Sequence, residues 1–302
     1  MRRDVSWWYE RGMRAVRHPL LFSQRIGYNI KRFSCDQLNR FGYYAYPHRI
    51  IFIAGLPLSG TTWVKNLFAR VPGYFTRPAP MPDDVRYRQD ICDSAFRHVP
   101  HFGNTLFKTH LNPTEANIDC ISRHGVEKVL VVYRDLRDVI VSHYNRLLVF
   151  PKPKGAYDYV DIDVVGKEGL MDYCINNAAG ECVDWIRGWH AFAKRYPGRC
   201  HFIRYEELKA DTTKEFKKAL EFYGICMSER DIDQAVDMSR GRGNVKKNME
   251  AAKICPWGYA SNFRSGKVGG WRRDLSDSQK TKCKALLGTA LIELGYEGDL
   301  NW

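Results

Sequence analysis

The stretch Gly55-Leu56-Pro57-Leu58-Ser59-Gly60-Thr61-Thr62-Trp63 decides the fold of this 302-residue chain. It follows the β-branched run Arg49–Gly55 (RIIFIAG), which predicts a buried strand, and it opens a helical stretch over Thr61–Arg70. Glycines let the backbone approach an anion closely, and the first N–H groups of a helix are unpaired and partially positive. A glycine-rich turn between such a strand and helix therefore predicts a phosphate-binding loop.

The loop differs from that of ATP-hydrolysing enzymes at one position. The spacing of Gly55 and Gly60 equals that of the Walker A motif, but Thr61 stands where the motif requires lysine. Without that lysine the loop lacks a clamp for β- and γ-phosphates, so it suits a nucleotide with a shorter 5′ anion. A P-loop kinase and a plain strand–turn–helix with a serine cap remain alternatives at this point.

The rest of the chain alternates apolar strand patterns with helical ones. Strands are predicted at Thr105–His110, Lys128–Tyr133 and Cys200–Arg204, and helices at Leu136–Leu148, Glu181–Arg195, 206–223, 229–238 and from Ser276 to about Leu294. Residues 150–170 are predicted to form a loop or lid. This alternation predicts an α/β fold, in which a single domain has a central parallel sheet flanked by helices.

Composition excludes several classes of protein. Hydrophobic residues make up 44% and charged residues 27% of the chain, which excludes disordered and fibrous proteins. The nine cysteines are scattered and contain no C-x-x-C pair, which predicts free thiols in a reducing compartment and no zinc site. No apolar run is long enough to span a membrane, and the N-terminus has no apolar signal core. We therefore expect a cytoplasmic protein that binds no metal.

Positive charge is concentrated in two segments. Residues 1–40 hold nine Lys/Arg and three Asp/Glu, residues 237–273 hold nine Lys/Arg and two Asp/Glu, and the remainder is balanced. Two cationic segments on a neutral body predict anionic ligands at two places. Neither segment carries a motif that reads bases, so we expect no nucleic-acid partner.

Residues 1–45 are predicted to be a basic amphipathic helical segment ahead of a main domain at 46–302. Apolar residues alternate with arginines over residues 5–33, with a break near Pro19. The segment could make a peripheral membrane contact through residues 1–30, with its cationic face on anionic lipid. Alternatively, its aromatic side chains pack on the body while the arginines face water. The apolar positions keep no clean helical period, which favours packing.

Three stretches together resemble the cytosolic-type sulfotransferases. The loop ending at Trp63 resembles their 5′-phosphosulfate loop P-K-S-G-T-T-W, and Tyr133–Ser142 (YRDLRDVIVS) resembles the 3′-phosphate segment R-x-P-K-D-x-x-x-S. Arg264–Trp271 (RSGKVGGW) resembles the late loop R-K-G-x-x-G-D-W-K. The resemblance covers residues 48–275. It implies an enzyme that transfers the sulfuryl group of 3′-phosphoadenosine 5′-phosphosulfate (PAPS) to a hydroxyl of a small-molecule acceptor.

The resemblance also implies which residues bind PAPS through its 5′ anion, its adenine and its 3′-phosphate. They are Ser59, Gly60, Thr61, Thr62, Trp63, Arg134, Ser142, Tyr205, Ser239, Arg264, Ser265 and Gly266. Trp63 would stack on adenine, with Tyr205 near the base edge. An independent argument supports Arg134, because it follows a buried strand at the edge where open α/β sheets bind ligands. Its guanidinium also offers a bidentate fork for phosphate.

The strand Phe107-Lys108-Thr109-His110-Leu111 resembles the K-T-H-L of sulfotransferases that use histidine as a base. An acceptor hydroxyl is a poor nucleophile until a base removes its proton, and neutral imidazole suits that task. Lys108 lies two residues before His110, so both side chains should point to one face of the strand. The resemblance implies in-line transfer with His110 as general base and Lys108 beside the developing charge.

The sequence departs from the family pattern at Leu58, which stands where the loop of these enzymes has lysine. We expect Lys108 and the N–H groups of the loop to replace that charge, rather than Lys65, which lies one turn into the helix. A catalytically inactive nucleotide-binding protein of the same fold remains an alternative. The C-terminal dimer motif of the family is not evident, so the sequence leaves the oligomeric state open.

Overall fold

Five parallel strands form one sheet in the order β2–β3–β1–β4–β5. The strands are β1 (Ile50–Gly55), β2 (Tyr74–Thr76), β3 (Asn104–Thr109), β4 (Val129–Tyr133) and β5 (Cys200–Arg204). The computed structural model describes residues 19–76, 89–97, 99–149, 160–239 and 266–302. The predicted α/β domain with a central parallel sheet flanked by helices is confirmed.

Continuous apolar sequence explains the middle of the sheet. Every residue of β1 and β4 is buried, as expected for parallel strands covered on both faces. In register, Ala54 lies beside Thr109 of β3, and Gly55 lies beside Val132 of β4. These pairings bring the ends of three strands to one edge, where the loop after Gly55 begins.

Helices cover both faces of the sheet. They are α1 (Pro19–Asn39), α2 (Thr61–Phe68), α3 (Glu115–Arg123), α4 (Leu136–Val149), α5 (Ile162–Arg195), α6 (Tyr205–Ala210), α7 (Thr212–Phe222), α8 (Glu229–Ser239), α9 (Trp271–Asp274) and α10 (Asp277–Glu293). Helices α2, α7 and α8 form one apolar layer with Leu67, Phe216 and Val236. Helices α4, α5 and α10 form the other with Ile140 and Trp189. A capping box of Ser276 and Gln279 begins α10, the helix predicted from Ser276.

The prediction of a loop or lid over residues 150–170 was wrong for residues 162–170, which are helical. Helix α5 begins at Ile162, and the side chain of Asp161 caps it by accepting a bond from the Asp163 N–H at 3.2 Å. The helical pattern is interrupted at Gly166, whose backbone has φ 67° and ψ 178°. That interruption breaks the apolar period, which is why the sequence suggested a loop. Residues 150–159 lie outside the described part of the chain.

Helix α1 begins at Pro19, where the sequence predicted a break, and runs to Asn39. Proline fits a first helical turn because its missing N–H would be unpaired there. The Tyr28 hydroxyl donates to the carbonyl of Thr76 at 3.2 Å, and its ring meets Phe75 edge-on at 5.6 Å. The helix therefore docks beside β2. Residues 1–18 lie outside the described ranges, and the boundary at 45/46 stays a prediction.

Two further sequence expectations concern cysteines and membranes. The eight cysteines within the described ranges are free, and five of them are buried. Cys226 is exposed, so burial does not hold for every thiol. Among the helices that the structure describes, none has the length and apolarity needed to cross a bilayer.

Candidate active site

The candidate site lies at the carboxyl edge of the sheet, where β1, β3 and β4 end side by side. The chain leaves β1 in one direction and later returns to its other side, since β3 and β4 flank it. Open α/β sheets bind ligands at such a switch point. Because Ala54 pairs with Thr109, the next residues, Gly55 and His110, meet at this edge.

Close packing fixes the loop between β1 and α2. A Cβ at Gly55 would lie 2.0 Å from Cγ2 of Thr61, and one at Gly60 would lie 2.7 Å from the Tyr205 ring. Gly60 has φ 86°, and Leu58 has a left-handed φ of 66°, which is uncommon for a residue with a side chain. The Ser59 hydroxyl is fully buried and has no partner among the described residues.

His110 is held by a backbone carbonyl. Its Nδ1 lies 2.5 Å from the carbonyl oxygen of Gly55. That oxygen can only accept, so Nδ1 must donate and Nε2 keeps its lone pair. The Lys108 ammonium lies 3.1 Å from Nε2 and donates to it. The predicted placement of Lys108 and His110 on one face of β3 therefore holds, and the contacts define the tautomer.

Burial and positive neighbours shift both side chains toward their neutral forms. Burial, followed by the charge of Lys108, lowers the pKa of His110 to about 4, against the bond to Gly55, which raises it. Burial, followed by Lys65 and Arg146, lowers the pKa of Lys108 to about 8. His110 is therefore neutral at pH 7 and Lys108 remains mostly protonated.

Arg146 was not predicted as a site residue. It lies on α4, is exposed, and acts electrostatically on both Lys108 and His110. No motif surrounds it, and its approach depends on how α4 packs against the sheet. Sequence spacing alone carries no signal for it.

Arg134 and Ser142, predicted together for one anion, are neighbours. A nitrogen of the Arg134 guanidinium donates to the Ser142 hydroxyl at 3.3 Å. The same guanidinium donates to Asp138 at 3.1 Å and to the Lys267 carbonyl at 2.5 Å, and it lies over the Tyr205 ring at 4.5 Å. Its Nε is buried without a hydrogen bond.

Asp138 is a second residue that the sequence argument missed. Its Oδ2 accepts from the Gly269 N–H at 2.8 Å, and its Oδ1 accepts from the Trp271 N–H at 3.0 Å, in addition to the bond from Arg134. One carboxylate thus ties α4 to the late loop. Its position one helical turn after Arg134 was the available signal, since such residues are neighbours on a helix.

The residues predicted around adenine also gather here. The indole N–H of Trp63 donates to the Ser239 hydroxyl at 3.0 Å, and its ring lies 6.1 Å from Tyr205 in an edge-on arrangement. The Tyr205 hydroxyl donates to the Gly266 carbonyl at 3.2 Å. Arg264 and Ser265 lie outside the described residues, so their predicted roles stay predictions.

This arrangement suits a nucleotide with two anionic ends. One end has the buried Ser59 hydroxyl, which has no hydrogen-bond partner among the described residues, and the other has the Arg134 guanidinium, whose Nε lies 4.0 Å from a Glu206 oxygen. Between them lie the rings of Trp63 and Tyr205. A buried hydroxyl beside a helix N-terminus and a guanidinium beside a serine hydroxyl therefore suit two separate anionic groups.

One cluster in the described part of the chain has the residue types of a metal site. Asp93, Cys120 and His124 place their ligand atoms within 4.8 Å of one another. However, the Asp93 carboxylate accepts from His124 at 2.8 Å and from Arg123 at 3.2 Å. A guanidinium on the carboxylate opposes a second cation there, so the cluster is an ion-paired network.

Comparison with known proteins agrees with the geometry. A family model described as "Sulfotransferase domain" matches residues 48–295. Cytosolic sulfotransferase 17 of Arabidopsis thaliana is 27% identical over 270 residues, covering 81% of this chain and 75% of the relative. Sulfotransferase 1C2 of Rattus norvegicus is 23% identical over 253 residues, covering 77% and 79%.

Two solved structures share the fold. Mouse sulfotransferase SULT7A1 complexed with PAP has a TM-score of 0.61 at 19% identity, covering 82% of this chain and 85% of that chain. Retinol dehydratase in a complex with retinol and PAP has a TM-score of 0.54 at 19% identity, covering 80% and 81%. Because the family model spans most of the sequence, from β1 to the end of α10, this chain belongs to the sulfotransferase domain family.

Proposed function

We propose that the protein transfers the sulfuryl group of PAPS to a hydroxyl of a small-molecule acceptor, in line, with His110 as general base. The observation that carries this is the Gly55–His110–Lys108 contact at the edge where β1 and β3 end. In the step, the acceptor oxygen bonds to sulfur and the bond from sulfur to the 5′-phosphate oxygen breaks. The hydroxyl proton passes to Nε2, and adenosine 3′,5′-bisphosphate leaves.

The fixed tautomer supports this role for His110. Since Nδ1 donates to Gly55, the lone pair on Nε2 is the basic site of the imidazole. Lys108 occupies that lone pair in this structure, so its ammonium must turn to an anion before Nε2 can accept a proton. Pairing Lys108 with an anion would also offset the charge that lowers the pKa of His110. The base would thus strengthen when the donor is bound.

The remaining residues divide by the part of the nucleotide that they would hold. Arg134 and Ser142 would bind the 3′-phosphate, and the loop at Ser59–Thr62 the 5′ anion. Trp63, Tyr205 and Ser239 would contact adenine. Support for this division comes from the solved sulfotransferase and retinol dehydratase structures, which are complexes with PAP. PAPS supplies the sulfuryl group in this scheme.

The test is a turnover assay with labelled PAPS and a panel of hydroxylated small molecules. The wild-type protein should sulfate at least one acceptor. His110→Ala should lose roughly 10²- to 10⁴-fold in turnover, the contribution of a general base, while adenosine 3′,5′-bisphosphate still binds. His124→Ala is the matched control, because His124 follows α3 and bonds Asp93 rather than the site.

Two outcomes would contradict the proposal. Nucleotide binding without turnover on any acceptor would favour an inactive binding protein of the same fold. Turnover by His110→Ala at the level of the control would place the base elsewhere in the pocket.

A further inference from the structure

We infer that Lys65 binds the 5′ anion of the nucleotide and supplies the positive charge that the loop lacks at Leu58. This inference deepens the proposed function and rests on it. Three observations support it: the position of Lys65 on the helix after the loop, the lack of a described carboxylate to balance its charge, and the contacts that neighbouring cations already make.

The position of Lys65 directs it to the loop. Lys65 lies one helical turn after Thr61 on α2. Helical side chains lean toward the helix N-terminus, so Lys65 covers the turn that holds Thr61. Thr61 packs directly on Gly55, and the Gly55 carbonyl binds His110. The stem of Lys65 therefore runs toward the corner where the loop meets β3.

Within the described ranges, no carboxylate balances the charge of Lys65. Lys65 is partly buried, and burial lowers its pKa. Among the described residues it forms no ion pair, and its charge, with that of Arg146, lowers the pKa of Lys108. No described carboxylate contributes to the pKa of Lys65, Lys108 or His110. Partly buried cations without a carboxylate favour an anionic ligand.

The neighbours of Lys65 are less suited to the 5′ anion. Lys108 is bound to Nε2 of His110 and, in the proposed step, turns to the oxygen where charge develops during transfer. This assignment differs from the sequence-based expectation that Lys108, rather than Lys65, replaces the charge missing at Leu58. Arg146 is exposed on α4, which packs in the apolar layer opposite to that of α2. Leu58 has no charge to offer. Lys65 is the cation on α2, the helix whose N-terminus follows the loop.

The experiment compares two nucleotides that differ only at the 5′ position. Adenosine 3′,5′-bisphosphate carries the 5′-phosphate, and adenosine 3′-phosphate lacks it. Lys65→Met should weaken the first by about 10- to 100-fold, the loss expected for one charged hydrogen bond, and leave the second unchanged. Lys65→Arg should retain most of the affinity. Lys194→Met is the control, because it removes an equal charge from the exposed end of α5.

A double variant tests whether Lys65 and position 58 serve the same anion. Leu58→Lys should restore the affinity of Lys65→Met for adenosine 3′,5′-bisphosphate, yet add little to the wild type. Leu58 already has a left-handed backbone, so lysine adds no new strain there. Non-additive effects of this kind show that two residues share one partner.

The outcomes separate this inference from the proposed function. If the wild type binds adenosine 3′,5′-bisphosphate and Lys65→Met binds it equally, the inference is wrong while the proposed function stands. If Lys65→Met weakens both nucleotides alike, Lys65 supports the fold and the inference is also wrong. If the wild type binds neither nucleotide, the proposed function itself fails.

We also propose that the outward face of α1 binds an anionic lipid surface. Tyr28 faces β2, whereas Ile26, Ile30 and Phe33 lie on the opposite side of the helix and are 44%, 60% and 65% exposed. Helix α1 itself carries Arg25, Lys31 and Arg32 against Asp36, a net positive charge that attracts anionic lipid rather than a neutral partner. An apolar helical face flanked by basic residues is the arrangement of interfacial helices.

The test is co-sedimentation of the full chain with vesicles of phosphatidylserine and phosphatidylcholine, or of phosphatidylcholine alone, at low salt. Binding should require phosphatidylserine, weaken with salt, and fall at least tenfold in the double variant Ile30→Asp/Phe33→Asp. Val164→Asp is the control, because Val164 is 80% exposed on α5. Equal binding by the double variant, or no binding by the wild type, overturns the proposal. A dimer that the double variant dissociates would instead assign this face to a second copy.

Discussion

Two groups of cations at the carboxyl edge of the sheet differ in how their charge is balanced. Arg134 and Arg137, the paired arginines, each contact a carboxylate. Lys65, Lys108 and Arg146, the unpaired cations, contact none among the described residues. Arg137 contacts the C-terminal part of the chain, whereas Lys65 and Arg146 act on Lys108 of β3.

The paired arginines hold the protein together. Arg137 is 1% exposed and bonds Asp135 at 2.8 Å and Glu297 at 2.6 Å. Its guanidinium lies between the rings of Trp271 and Trp302, 3.8 and 4.4 Å from their centres. It thereby joins α4 to the late loop and the C-terminus.

The unpaired cations have the opposite character. Lys108 has only a neutral imidazole as its polar partner, and its positive neighbours push its pKa down. Such an arrangement costs stability in the free protein, because charge is desolvated without compensation. Arg137, whose charge is balanced by carboxylates, therefore serves structure, whereas Lys65 and Lys108, partly buried without a described carboxylate, are suited to an anionic ligand.

Replacing Asp138, the carboxylate paired with Arg134, should give the largest change in stability. Asp138→Asn would face three donors, from Arg134, Gly269 and Trp271, with one acceptor fewer. Removing one partner of a buried ion pair costs about 3–5 kcal/mol. Urea unfolding should show a loss of this size, with Asp233→Asn on the exposed side of α8 as the control. A loss equal to that of the control would mean that Arg134 needs no protein partner.

Replacing Lys108 should change the free energy of unfolding less than replacing Asp138, and it should stabilise the protein rather than destabilise it. Its pKa is about 8 in the folded protein against 10.5 for the ordinary side chain, so the unfolded chain binds more protons between these values. Wild-type stability should therefore rise with pH across this window. Lys108→Met should be more stable than wild type at pH 7, by on the order of 1 kcal/mol, with the gain vanishing above pH 10.5.

The measurement is the free energy of unfolding against pH for both proteins, with Lys194→Met as a matched control. Parallel pH curves would show that the protein already neutralises Lys108. Adenosine 3′,5′-bisphosphate should reverse the order of stability, since the anion binds better to the wild type.

Much of the fold could be predicted from the sequence, because buried parallel strands are continuous apolar runs. The runs ending at Gly55 and Tyr133 were located from composition alone, and so was the glycine-rich loop. The edge strand β2 has only three residues and offers no period to detect. Helix α5 was predicted to begin at Glu181 but begins at Ile162; the interruption at Gly166 accounts only for its first turn.

Contacts within the site could be predicted from the sequence where both residues lie on one helix or strand or directly beside it. Lys108 and His110 are two apart on a strand, and Arg134 and Ser142 are two turns apart on a helix start, so spacing alone places them together. The Gly55 carbonyl and Arg146 act on His110, and Lys65 acts on Lys108, from other elements. Their contribution depends on packing angles between helix and sheet, which residue spacing does not encode.

The bond from His110 to the Gly55 carbonyl has a consequence for how this site tolerates mutation. A side-chain acceptor can be deleted by a single codon change, but a backbone carbonyl is present whatever residue occupies the position. A carboxylate in its place would also add a negative charge beside an anionic donor. No point substitution can therefore remove the acceptor itself, and the orientation of the histidine depends instead on the register of β1 against β3 and on glycine at position 55, where a Cβ would meet Thr61.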